Sequence, residues 1–143
     1  MVNTVKQATC KERLKSHYQG RIEDIRKLWE LNCKDCEASD PELGRFNEYG
    51  LCFDYVAPGT FSDQRRGYFR YQLSWGGPSD EFRFYCTEGF EIDRIEYWFL
   101  DWGDGAKRTL KQGKDFDLMS DIFQDFKDCE TVQYAYDQAM GDN

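Results

Sequence analysis

Proline is scarce, three in 143 residues, and nothing else in the chain reads as a linker, a repeat or a low-complexity stretch. A single domain spanning residues 1–143 is therefore expected. Histidine is scarcer still. His17 is the only one, so any Ser/His/Asp or Cys/His nucleophilic mechanism would have to use it, and no Ser or Cys stands in a nucleophile turn of the G-x-S-x-G type. Its place beside an apolar stripe reads as a partly buried packing residue. The glycines of Gly76-Gly77 and Gly103-Asp104-Gly105 fall between strand-like segments and open no helix, which leaves no phosphate cradle. No apolar run approaches the roughly 18 residues of a membrane span, and the first residues lack the apolar stretch of a secretory signal. The expectation is a soluble, cytoplasmic protein with no membrane partner.

Aliphatic side chains are also few. Leu, Ile and Val together make 18 of the 143 residues while 32% are charged, close to the balance at which chains stop folding. Eleven Phe, nine Tyr and four Trp restore the core, because each ring buries a large area. Formal net charge is −8, which opposes direct binding of nucleic acid and favours a cationic partner. The charge is unevenly placed: +3 over residues 1–30, −5 over 31–64, +2 over 65–86, −5 over 87–105, +2 over 106–110 and −5 over 111–143.

Thr9 and Glu12 have capping-box spacing, and Leu14, Tyr18, Ile22, Ile25, Leu28 and Trp29 follow at helical intervals, predicting a helix over 10–32. Arg13, Arg21, Arg26 and Lys27 fall on its other face and read as solvated charges. From about 50 to 110 the period becomes two, predicting strands at 51–56, 67–75, 81–87, 92–102 and 106–110 joined by short turns. Phe69, Tyr71, Leu73 and Trp75 share one face, opposite Tyr68, Arg70, Gln72 and Ser74. The run 95–102 is apolar on both faces, so it belongs centrally, covered on both sides or lined by long side chains. Helical spacing returns with Phe116, Met119, Phe123 and Phe126, and a last short helix is expected over 132–140. The fold class is α+β: an N-terminal helix, a four- or five-stranded antiparallel meander sheet, and a C-terminal helix packed on one sheet face.

Cys33-x-x-Cys36 is the one cysteine pair with ligand spacing, but no second CxxC or CxxH exists. The expectation is no cofactor, with zinc at Cys33 and Cys36 as the minor alternative. Asp101 with Asp104, and Glu91 with Asp93 and Glu96, are the nearest carboxylate groups for a hydrolase or a metal site; an acid-rich chain generates many such pairs. Arg65, Arg66, Arg70 and Arg83 interleave with Tyr68, Tyr71 and Tyr85, which resembles a stacking platform for single strands but equally allows pairing with Glu81 or Glu96.

The remaining signal is a row. Asp117, Asp121, Asp125 and Asp128 recur at intervals of four, four and three, about 5–6 Å apart along one helix side. Phosphates along a duplex recur at comparable distances, so such a helix can occupy the cationic cleft of a nucleic-acid-binding protein. In size and acidity the chain resembles the small accessory inhibitors of phages and mobile elements that block restriction or CRISPR effectors. That resemblance implies a non-enzymatic module binding a basic, nucleic-acid-binding protein surface. Asp117, Asp121, Asp125 and Asp128 would carry the charge, Asp101 and Asp104 would extend it, and Trp98 and Trp102 would anchor the contact. The competing class is a small enzyme or ligand-binding protein using an aromatic-lined sheet pocket with carboxylates.

Overall fold

The computed structural model of the protein describes residues 9–141. Lys6 and Asp142, counted in the charge blocks above, lie outside them. Helix α1 (Cys10–Lys34) starts where Thr9, in extended backbone, accepts the Glu12 N–H at 3.2 Å. Half of the expected capping box is thus present; the Glu12 carboxylate accepts from the Thr9 hydroxyl at 3.1 Å. A second acceptor, Asp104 Oδ2, takes the Cys10 N–H at 3.0 Å from across the fold. Tyr18, Ile22, Ile25 and Leu28 form the buried stripe, and the helix runs two residues beyond the expected end. A four-residue helix, α2 (Phe46–Tyr49), was not anticipated, because four residues carry no periodicity; it buries Phe46 against Trp29, with centroids 5.1 Å apart.

Five strands follow: β1 (Cys52–Val56), β2 (Tyr68–Ser74), β3 (Ser79–Thr87), β4 (Glu91–Asp101) and β5 (Asp104–Thr109). They pair antiparallel in chain order, the meander expected from the period-two segments. A single 3-10 turn (Glu88–Phe90) joins β3 to β4. Helices α3 (Lys114–Asp128) and α4 (Thr131–Met140) then return across the sheet face that α1 already covers. Pairing register lines up Phe53, Tyr71, Phe82 and Tyr97 on that face, with Phe69, Phe84 and Ile95 one step along. Phe123 of α3 meets the rings of Phe84, Phe69 and Phe53 at 5.0, 5.5 and 6.2 Å, and Tyr18 of α1 meets Tyr97 edge-on at 5.5 Å. The core is therefore mostly aromatic, as the shortage of aliphatics required.

The four cations singled out on α1 are ion-paired and not free charges, which corrects the sequence reading, although Lys27 stays 61% exposed. Arg13 bonds Asp101 of β4, Arg21 bonds Asp80 of β3, Arg26 bonds Asp115 of α3, and Lys27 bonds Asp40 ahead of α2, each at 2.7 Å. Helical spacing could not show this, because the carboxylates arrive from four other segments. Asp80 is the deepest of them, its side chain only 2% exposed. It accepts from Arg21 Nε and Nη2 at 2.7 and 3.0 Å, from the Tyr97 hydroxyl at 2.6 Å and from Ser74 Oγ. Arg21 Nη1 donates onward to the Tyr49 hydroxyl at 3.0 Å, which donates to Asp24 at 2.8 Å. Every lone pair of this buried carboxylate faces a donor, the condition under which a buried charge is tolerated.

Asp80→Ala should lower stability by about 3–5 kcal/mol, since it strands the Arg21 charge. Arg26→Ala, whose ion pair is 31% and 29% exposed on its two sides, should cost about 1 kcal/mol or less. Urea unfolding of the two variants checks the contrast; equal losses would remove Asp80 as the anchor.

Candidate functional site

The acidic row sits on α3, which forms because Leu118, Met119, Ile122 and Phe123 are buried on its inner side. Asp117, Asp121 and Asp128 are exposed and Asp125 is half-buried. At 100° per residue the four lie within an arc of about 80°, along about 16 Å of helix. Among the described residues none of the four has a cation within ion-pair distance; Asp128 only accepts an amide hydrogen from Gln124, at 2.8 Å. Glu130 and Asp137, both exposed, continue the acidic surface toward α4. At the opposite end the stripe is bounded by exposed Arg108, Lys111 and Lys114 around a cleft of about 440 Å³.

Asp101 and Asp104 are placed elsewhere. They lie at the β4–β5 hairpin under the start of α1, at the far end of β5 from α3. Asp101 is 12% exposed and engaged by Arg13, and its second oxygen, Oδ1, is buried without a partner. The Cys10 N–H that Asp104 accepts holds its carboxyl below the ordinary range. Both are fasteners for α1, and the structure does not bring them together with the α3 row.

Trp102 occupies the hairpin tip with a φ of 46° and is 93% exposed. Trp75, 75% exposed, stands in the β2–β3 connection at the same end of the sheet. Trp98 is different: it lies on the helix-free face, half-buried, with the Arg83 guanidinium 3.9 Å from its ring centroid and Lys107 Nζ at 5.6 Å.

No helix covers that second sheet face, yet Glu96, Glu81 and Tyr68 are 1%, 2% and 3% exposed there. Long side chains lie flat over them. Arg83 bonds Glu81 at 2.7 Å and stacks between Trp98 and Tyr68, Arg94 bonds Glu96 at 3.2 Å over the Tyr85 ring, and Lys107 reaches Glu96 at 3.3 Å. This is how β4 is apolar on both faces and still satisfied, the second of the two arrangements expected for it. Arg70 pairs across the strands with Asp54, and Arg66 with Asp93. The cations of the supposed stacking platform are thus matched internally except for Arg65, and Tyr71 points into the helix-covered core.

His17 is exposed rather than partly buried, its ring stacked on Phe99 at 4.3 Å. Glu91, Asp93 and Glu96 each hold a cation: Lys127, Arg66, and the Arg94–Lys107 pair. Glu23, Glu30 and Asp115 line one cleft of about 480 Å³, but Asp115 is engaged there by Arg26 and the Tyr18 hydroxyl. Cys33 and Cys36 are exposed at the end of α1, and among the described residues no three His, Cys, Asp or Glu side chains gather as a metal site. Burial pushes the Cys86 thiol up to about 12. Among the described residues no helix is long and apolar enough to cross a membrane. Comparison with protein-family models, with curated proteins and with solved structures found no match to this chain.

Glu96 supplies a pH test. Burial opposes its ionisation, but the Trp98 N–H at 2.9 Å and the charges of Lys107 and Arg94 prevail and hold its carboxyl below the usual 4.5. A depressed folded value means that the stabilisation is present above pH 4.5 and lost as pH falls through that lower value. Urea midpoints measured downward from neutral pH should fall more steeply below pH 4.5 for the native chain than for Glu96→Gln. Parallel curves would show that Glu96 is not held ionised. For the zinc alternative, Cys33→Ser with Cys36→Ser should leave the melting temperature unchanged, with or without a chelator. A chelator-sensitive melt of the native chain would reinstate the metal.

Proposed function

We propose that the protein is a non-enzymatic acidic module that binds a basic surface on a nucleic-acid-binding protein, with α3 occupying the place of a polyanion. The observation that carries this reading is the contrast in how charge is partnered. Eleven Lys and Arg side chains of the described residues are bonded to carboxylates of the sheet, of the segment between α1 and β1 and, in one case, to Asp115 at the start of α3, and none is bonded to Asp117, Asp121, Asp125 or Asp128. An unpaired stripe costs helix stability through like-charge neighbours, about 0.2–0.5 kcal/mol per pair. It also gives a rigid row of negative charge that can steer and hold a cationic cleft without first being ordered. Displacement of nucleic acid from such a cleft is inhibition, the action of anti-restriction and anti-CRISPR proteins. Neither tryptophan is adjacent to the row: Trp102, though exposed, sits at the hairpin with Asp101 and Asp104, and Trp98 is already sandwiched within its own face, so the reading rests on the aspartates of α3.

The experiment is charge reversal at the centre of the row, Asp121→Lys with Asp125→Lys. Capture from a host lysate at low salt, repeated at high salt, supplies the partner, whose isolated affinity is then measured for both forms. Affinity should fall by about 100-fold, because like charges juxtaposed across an interface cost several kcal/mol. The melting temperature should stay level or rise, since the 117–121 and 125–128 repulsions become attractions while the 121–125 pair remains like-charged. A variant that binds the partner as tightly as the native chain would dismiss the polyanion reading.

A further inference from the structure

Cations lying over aromatic rings recur through the fold, and they come with a carboxylate. Arg13, Arg21, Arg66, Arg83, Arg94 and Lys107 each lie over a ring and each also bonds an Asp or Glu. Arg108 breaks the pattern. Its guanidinium lies 4.5 Å from the centroid of the buried Tyr18 ring, yet among the described residues no carboxylate comes within ion-pair distance and no group accepts a hydrogen bond from it. The acid beside it, Asp115, is already taken, accepting from the Tyr18 hydroxyl and from Arg26, both at 2.7 Å.

Two further cations share the place. Lys111 and Lys114 line the same cleft of about 440 Å³, open to solvent between the end of β5 and the start of α3, and among the described residues neither has an ion-pair partner. Like charges gathered in one cleft repel one another, and Lys114 adds its charge to the positive end of the α3 dipole. Both effects cost stability that an anion in the cleft would restore. The surroundings limit how long that anion can be. Glu23 and Glu30 of α1 line the adjoining cleft, and Asp117 stands three residues along α3 from Lys114, so an extended polyanion would run against carboxylates where a compact one would not.

We propose that the cleft of Arg108, Lys111 and Lys114 binds a compact phosphate-bearing anion of about the size and charge of pyrophosphate. The Tyr18 ring fixes the plane of the guanidinium and leaves its N–H fork to meet two phosphate oxygens, while the two flexible ammonium groups adjust to the remainder. The proposal is independent of the acidic row, since none of the four aspartates lines this cleft.

The test titrates the full chain by calorimetry at low salt with pyrophosphate, with inorganic phosphate and with a short oligothymidylate. Pyrophosphate should bind about tenfold more tightly than phosphate and raise the melting temperature, and the oligothymidylate should bind more weakly than pyrophosphate. Lys111→Gln with Lys114→Gln should weaken pyrophosphate about tenfold, and Arg108→Lys, which keeps the charge but loses the planar fork, should weaken it several-fold. All three side chains are exposed, so both variants should still melt cooperatively in the absence of the anion. No binding of pyrophosphate at tens of millimolar would overturn the proposal, as would equal affinity in the native chain and the double lysine variant. An oligothymidylate that binds more tightly than pyrophosphate would reveal a surface for extended polyanions and dismiss the compact ligand.

Discussion

The attachment of α1 to the rest of the chain rests on one interaction, the insertion of Arg21 against Asp80 beneath the sheet's aromatic layer. A carboxylate that is 2% exposed is tolerated only because Arg21, Tyr97 and Ser74 saturate it. The demand is directional. Arg21 reaches Asp80 only if α1 lies along β4 and β5, and in that position Arg13, Arg26 and Lys27 meet Asp101, Asp115 and Asp40. The hydrophobic stripe of α1 supplies the larger driving force, but greasy contact alone permits sliding and rotation. Four ion pairs at 2.7 Å remove that freedom. Conformational specificity, more than net stability, is what a buried ion pair contributes in this arrangement.

The same logic recurs on the uncovered side of the sheet. An antiparallel sheet with one bare face normally turns it polar, but β4 has Trp98 there and Glu96 nearly inaccessible beside it. Arg83, Arg94 and Lys107 resolve the conflict by acting as both lid and counter-ion: their stems cover the rings while their charged heads bind Glu81 and Glu96. A second helical layer is therefore not needed. The sheet's outer surface becomes a closed lattice in which most cations have a carboxylate partner.

These two networks mark the border of what the amino-acid pattern discloses. Periods of 3.6 and two are local, and they place α1, the five strands, α3 and α4 to within a few residues, and the inward sides of α1, β2, β3 and α3 with them, except for Trp75, which is 75% exposed beyond the end of β2. Ion pairing is not local. Arg21 and Asp80 are separated by 59 positions, and nothing in either neighbourhood distinguishes Arg21 from a solvated arginine. For the same reason Asp101 and Asp104 look like an extension of the α3 row until the fold carries them to the start of α1. By contrast the α3 row is legible, since all its members belong to one helix and share its period.

Net charge of −8 describes the chain poorly when taken as a diffuse property. Eleven cations are drawn onto carboxylates elsewhere in the fold, and the four aspartates of the α3 row are left without one, although Lys114 and Lys127 belong to the same helix. Concentration matters because a field several residues long acts on a partner as a surface, whereas the same charges scattered would be screened one by one over a Debye length of about 8 Å at physiological salt. Rigidity follows from the packing of Phe123 against three sheet aromatics, which anchors the inner face of α3 and presents its outer face preformed. An acidic tail of equal charge would have to be ordered on contact and would lose affinity in doing so. Internal pairing and external charge are thus linked: the cations that hold α1 and roof the sheet are occupied there, which leaves Asp117, Asp121, Asp125 and Asp128 of α3 unpaired among the described residues.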